Sequence, residues 1–202
     1  MRSDILLALH YQNEVVHPQG KIRVGIAAES PERAAIIGSA RRLIDGARRA
    51  RVPVISVRIA FPADYGNVVR NAPIWRRVIA DRAMTDGSWG AEFYEGLGPL
   101  PGETVVTHHR NNPFFASTLA DVVASFRPRR TIVAGISTTY VVESAVRHAS
   151  DLGYDVVVAA DACSSASPDM HDASLKAMAL LADISTVDEV LAGFGPPQEM
   201  TG

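Results

Sequence analysis

The chain has a single cysteine, Cys163, in 202 residues. That excludes an internal disulfide and fits a reducing compartment, so a cytoplasmic setting is expected. No apolar run reaches the ~18 residues a membrane-spanning helix needs. The first residues enter a strand pattern almost at once and lack the shape of a signal peptide. Charge of one sign is also missing: 20 Lys and Arg stand against 22 Asp and Glu. Aromatics make up only 6% and form no stacking platform, so neither nucleic acid nor a membrane is an expected partner. The nearest approach to a basic cluster is Arg41, Arg42, Arg48, Arg49 and Arg51. These fall on the polar side of a helix whose inner face is Ile36, Ile37, Ala40, Leu43, Ile44 and Ala47, so a solvated face or a subunit contact is expected.

What is present is an alternation of strand and helix patterns, rich enough in apolar residues (47%) for a sheet buried on both faces. The expectation is one α/β domain over residues 1–202, with a six-stranded, mostly parallel sheet between helices. Strands are expected at Asp4–His10, Val54–Arg58, Thr104–Thr107, Ile132–Ala134, Asp155–Ala160 and Ala182–Ser185. Ser30-Pro31 reads as the start of a helix running to Arg51, and Ser167-Pro168 as the start of another with inner face Ala173, Ala177, Met178 and Leu181. Thr118 to Asp121 has the spacing of a capping box. The stretch 61–101 is irregular, with a short helix near Trp75–Asp81, and such long loops are usually functional or interfacial. Residues after Gly193 read as a frayed end.

The densest signal is Thr131 to Arg147. An apolar strand closes at Gly135, a tight turn follows, and a helix buries Val141, Val142, Ala145, Val146, Ala149 and Leu152 until Gly153 caps it. Such a turn aims amides at one point above the sheet, which suits a carboxylate or an oxyanion. The run Gly135-Ile-Ser-Thr138, then Val141-Val142, then Gly153-Tyr-Asp-Val-Val-Val-Ala-Ala-Asp161-Ala162 resembles the signature of the isochorismatase-like cysteine hydrolases. So do Leu9-His10-Tyr11-Gln12-Asn13-Glu14, Gly87-Ser-Trp-Gly-Ala-Glu92, and Thr104 to Leu119. The resemblance runs from about Ile5 to Leu191.

It implies a Rossmann-like three-layer fold and a hydrolase site. It also implies that all three usual catalytic positions are changed: the aspartate to His10, the lysine to His108 and the nucleophilic cysteine to Val141. A valine cannot form a thioester. Hydrolysis of a small amide, imide or enol ether by direct acid/base chemistry is one expectation, with His10 and His108 titrating near neutral pH as base and acid. A non-catalytic relative that binds a metabolite or partner is the other. Turn amides at Ile136, Ser137, Thr138 and Tyr140, beside Val141, are expected to hold the oxyanion, and a cis peptide between Ile136 and Ser137 is implied.

Candidate ligand contacts are Tyr11, Gln12, Tyr65, Trp75, Arg110, Phe114 and Phe115, with Phe61, Trp89, Tyr140 and Arg58 nearby. Gln12 and Asn13 serve equally well to tie down their own loop. Cys163 reads as a buried, inert thiol. His148 reads as solvated, and His171 as a packing or capping residue. His10, His108 and His109 converging on zinc is the alternative chemistry, but neighbouring residues of an extended segment point opposite ways. Asp64 is the one further ligand candidate, so no metal and no cofactor is assigned. The resemblance also implies a homodimer or higher homo-oligomer.

Overall fold

The computed structural model describes residues 3–27 and 29–194. The end expected to fray beyond Gly193 therefore lies, past Phe194, outside the described residues. Six parallel strands form one sheet in the order β3-β2-β1-β4-β5-β6. They are β1 (Ile5–Leu9), β2 (Val54–Ile59), β3 (Thr104–His108), β4 (Thr131–Gly135), β5 (Val156–Ala159) and β6 (Asp183–Ser185). The helices are α1 (Asn13–Val16), α2 (Arg33–Arg49), α3 (Pro73–Ala80), α4 (Leu119–Phe126), α5 (Glu143–Asp151), α6 (Pro168–Met178) and α7 (Val187–Ala192). Every residue of β1, β4 and β5 is buried, as an all-parallel sheet covered on both sides requires. The strand order runs outward in both directions from β1 and β4. Right-handed crossovers then send the two halves' helices to opposite faces, and α2 packs on α7 while α5 packs on α6. No helix among the described residues is long and apolar enough to cross a membrane.

Local chemistry explains most boundaries. Helix α2 buries Ile36, Ala40, Leu43, Ile44 and Ala47 along one stripe. Its Gly46 admits α7: a Cβ there would stand 2.2 Å from Leu191 Cδ2. Arg127 ends α4 in a left-handed conformation, and Gly153, at φ +83°, closes the turn after α5. At the join of the two halves, a Cβ on Gly135 would meet the Leu9 carbonyl oxygen at 2.3 Å. Glycine there lets β4 finish tightly against β1, which brings the ends of both strands to one place.

Several expectations need correction. Pro31 is not the first helical residue; α2 begins at Arg33, without a side-chain cap. Thr118 makes no capping bond, and the Ser117 hydroxyl accepts from the Leu119 amide instead. Helix α6 turns Ser174 and Met178 inward, while Ala173, Ala177 and Leu181 are exposed. Leu152 is exposed as well. Ser167 does cap α6, accepting from the Met170 amide. The cap of α7, a reciprocal Thr186–Glu189 box, was not anticipated.

Candidate active site

In open parallel sheets a ligand site lies beyond the carboxyl ends of the strands, where the order reverses. Here the reversal falls between β1 and β4. A cavity of about 540 Å³ opens at that point. His10, Ser137, Tyr140 and Val141 line it beside Ile136, and Arg110 and Asn111 reach it from the loop after β3. Apart from Arg77, the remaining wall is apolar and includes Val15, Ile22 and Val24 together with Ile74, Trp75 and Val78 of α3.

His10 leaves β1 with φ +54°, which swings its ring away from the strand direction. Its Nε2 lies 2.5 Å from Nε2 of His108. The ring planes differ by 14° with centroids 4.8 Å apart, so the rings meet edge to edge and the contact lies in both planes. That is the geometry of an N–H···N hydrogen bond, with one nitrogen carrying the proton and the other bare. The two strands are not adjacent: β2 runs between them, and the imidazoles reach across its end. His108 is fully buried behind His10 and does not line the cavity. His10 is the member that faces it. Its Nδ1 has no protein partner and is not sealed off, whereas Nδ1 of His108 is sealed and unpartnered.

Burial sets the protonation of the pair. Desolvation, followed by the charge of His108, holds His10 well below the ordinary imidazole range. Desolvation and then His109 push His108 down to about 3, against a smaller upward pull from the Arg110 backbone. Both rings are therefore neutral at pH 7, with one Nε2 protonated and the other bare to accept from it. The expectation of two groups titrating near neutrality is corrected by this burial.

The turn after β4 also differs from the expectation. The Ile136–Ser137 peptide is cis, as the resemblance implied. The following residues, Thr138–Val142, form a π turn before α5. Three of the amides expected to be free are engaged. Ile136 donates to the Leu9 carbonyl at 3.1 Å, Thr138 to the Ser164 carbonyl at 2.8 Å and Tyr140 to the Ser137 carbonyl at 3.3 Å. The Ser137 amide has no acceptor in the protein, and its buried hydroxyl has no partner either. Ser137 is thus the one expected turn residue with its amide uncommitted, while its hydroxyl oxygen, like Nδ1 of His108, is sealed.

Of the other candidate contacts, Trp75 and Arg110 line the cavity, with Phe61 and Tyr140. The rest are placed elsewhere. Gln12 is fully buried and bonds the backbone of Ile59 and Ala91, the loop-tying alternative. Tyr11 donates to the Ala162 carbonyl, and Tyr65 bonds the Ala83 carbonyl and Thr85. Phe114 stacks on His148, correcting the solvated placement of that histidine, and Phe115 is 60% exposed. Trp89 packs edge-on against His17, and Arg58 pairs with Asp86. His171 Nδ1 meets the Thr138 hydroxyl at 2.8 Å and steadies the turn. His109 turns away from His108 to the Ala60 carbonyl, and Asp64 accepts from the Gly66 amide in its own loop. No group of three or more His, Cys, Asp or Glu suited to a metal occurs among the described residues. Cys163 is buried, bonds the Ala159 carbonyl, and burial pushes its thiol up to about 12.

The wall residues Val15, Ile22, Val24, Ile74, Val78 and Met84 were not singled out in the sequence. They come from short or irregular segments whose apolar residues carry no periodic signal, so only the fold shows that they face one space.

A family model described as the isochorismatase domain matches residues 4–189. The chain is similar to a ureidoacrylate amidohydrolase RutB of Pseudomonas savastanoi, with 29% identity over 80% of this chain and 71% of that protein. It is also similar to the uncharacterized isochorismatase family protein YecD of Escherichia coli, with 27% identity over 77% of this chain and 81% of that one. Among solved structures, a cysteine hydrolase from Pseudomonas syringae superposes with a TM-score of 0.84 at 22% identity, covering 95% of this chain and 92% of that one. An isochorismatase family protein from Desulfovibrio vulgaris superposes at 0.82 with 25% identity, covering 95% and 100%.

Proposed function

From the premise that the chain belongs to the isochorismatase family, we propose that it is a hydrolase working without a covalent nucleophile. Val141 stands at the position where the resemblance expects the cysteine, and its side chain has nothing to attack with. The substrate carries a carbonyl carbon, and an amide or imide suits the similarity to ureidoacrylate amidohydrolases. The observation that carries the reading is the in-plane His10–His108 bond, with the other nitrogen of His10 open to a cavity that Ser137, whose amide is uncommitted, also lines.

In the productive tautomer His10 donates its Nε2 proton to His108 and keeps Nδ1 bare. A water in the cavity gives a proton to Nδ1 as its oxygen bonds to the substrate carbon. The developing oxyanion takes the Ser137 amide as donor. The tetrahedral intermediate collapses, and the proton on Nδ1 passes to the leaving nitrogen. His108 touches no reacting atom. It holds the ring of His10 and accepts a hydrogen bond that strengthens as His10 gains charge, so it is a positioning residue.

The test is a panel of purified-protein assays on a primary amide, an N-carbamoyl amide, a cyclic imide and an enol ether. Turnover of at least one, reduced on the order of a hundredfold in kcat by His10→Ala, is the expected result. Equal turnover by wild type and His10→Ala overturns the reading. A second reading, a non-catalytic binding protein, is favoured by the depth of the imidazole pair and holds if no panel member is hydrolysed. We also propose a homodimer or higher homo-oligomer, consistent with exposed apolar side chains such as Phe115 and Leu180. A sedimentation mass near 21.7 kDa at micromolar concentration contradicts it.

A further inference from the structure

We propose that the cavity selects a ligand with a bulky, ring-sized apolar body and one anionic group, the body lying against Trp75 and the anion at Arg110. The inference rests on the cavity being the substrate site of the reading above, and it names the class of molecule that fits there.

Three observations carry it. The first is size and lining. A volume of about 540 Å³ lies well within the range of ~300–1,000 Å³ that takes a drug-sized ligand. Beyond the polar corner at His10 and Ser137, its wall is side-chain hydrocarbon from Ile22, Val24, Ile74, Val78 and Met84, with the Trp75 indole among them. A short polar substrate leaves that wall in contact with water and gains nothing from it, whereas a ring-sized body displaces the water and buries both surfaces.

The second is charge. Among the described residues no carboxylate lines the cavity, and the imidazole pair is neutral. Two arginines reach it. Arg77 is committed to Asp81 on its own helix. Arg110 has no carboxylate partner. Its Nη1 is held by the carbonyls of Asn67 and His109, at 3.0 and 2.8 Å, which leaves Nε and Nη2 without acceptors in the protein. A guanidinium anchored through one nitrogen, with the other two open, is set to take an anion side-on.

The third is separation of roles. Ser137 and His10 belong to the strand ends, while Arg110 belongs to the loop after β3. The anion site is therefore built on a different element from the reacting corner, and it serves to orient the ligand.

The experiment is calorimetric titration of the full chain with three probes. They are 2-naphthoate, its uncharged counterpart 2-naphthamide, and 3-ureidopropionate, which keeps the carboxylate and lacks the ring. The expected result is that naphthoate binds at least about tenfold tighter than either other probe. Arg110→Met is expected to weaken naphthoate by about tenfold or more and to leave naphthamide within about twofold. Arg110→Lys should restore part of the loss. The proposal is overturned if ureidopropionate binds as tightly as naphthoate, if naphthamide matches naphthoate, if naphthoate does not bind, or if Arg110→Met weakens both naphthyl probes equally. These outcomes separate from those of the catalytic reading. A protein that binds naphthoate as described but hydrolyses nothing loses only the catalysis. One that hydrolyses a short polar amide and ignores naphthoate loses only this inference.

Discussion

The two ends of β1 carry buried polar groups of opposite character. Before its first residue, Asp4 is 5% exposed, and its Oδ2 accepts from Arg129 at 2.9 Å and Arg130 at 2.7 Å. Just past its last residue, His10 is 8% exposed and meets another neutral ring. The first cluster sets one carboxylate between two guanidinium groups, leaves only its sealed Oδ1 unpartnered, and ties the start of β1 to the segment leading into β4. The second holds no net charge, leaves one nitrogen facing a cavity, and sits next to a serine with an uncommitted amide. A buried charge held by ion pairs ties segments together. A group buried at similar depth with an open nitrogen on a cavity suits a ligand. The same strand supplies both because the carboxyl ends of parallel strands open toward the crevice and the amino ends do not.

The comparison breaks most sharply under substitution. Asp4→Ala should cost about 2 kcal/mol of stability by stranding two arginines, with kcat per folded molecule unchanged. His10→Ala should do the reverse, with kcat falling on the order of a hundredfold and stability nearly kept. Chemical denaturation of both variants, with assays at fixed folded fraction, checks this. Similar profiles for the two variants would erase the distinction.

A smaller effect follows from pH. Both imidazoles have folded-state pKa values depressed below the ordinary 6.5. Between the folded and unfolded values the unfolded chain binds more protons, so the stability these neutral rings support is present above about pH 6.5 and is lost as pH falls toward 3. The loss should amount to a few kcal/mol and shrink in a His108→Phe variant. Turnover should decline only on the acid side, since no group of the pair deprotonates near neutrality on the alkaline side. Denaturation midpoints at pH 7.5 and 5, with a pH–rate profile, measure both. The smallest effect is expected from iodoacetamide: Cys163 is buried and its thiol is pushed up to about 12, so native protein should keep full activity after treatment.

The sequence made one half of this comparison legible and hid the other. The Gly135–Val141 turn and the ends of the strands were visible in apolar runs and glycine punctuation, whereas His10 and His108 stood out as site residues through the family resemblance. The parallel sheet and its helical layers followed from alternation, whereas the strand order did not. That His108 stands behind His10 was not readable, because burial depth depends on how β2 separates the two strands. Gln12 and Tyr11 looked like ligand contacts by their nearness to His10, yet their polar atoms are spent on backbone groups of remote segments. The Thr186–Glu189 cap was readable by spacing alone, whereas Thr118 had the spacing and lost the bond to Ser117.

His10 and His108 form a neutral, proton-sharing pair open to the cavity on the His10 side. NMR of protein with ¹⁵N-labelled histidine tests it most directly. The predicted result is a through-bond coupling between the two Nε2 nuclei, with neither ring titrating between pH 8 and about 5, and a ligand-induced shift at Nδ1 of His10 larger than at any nitrogen of His108. Two independent rings that both titrate near 6.5, without mutual coupling, would contradict it.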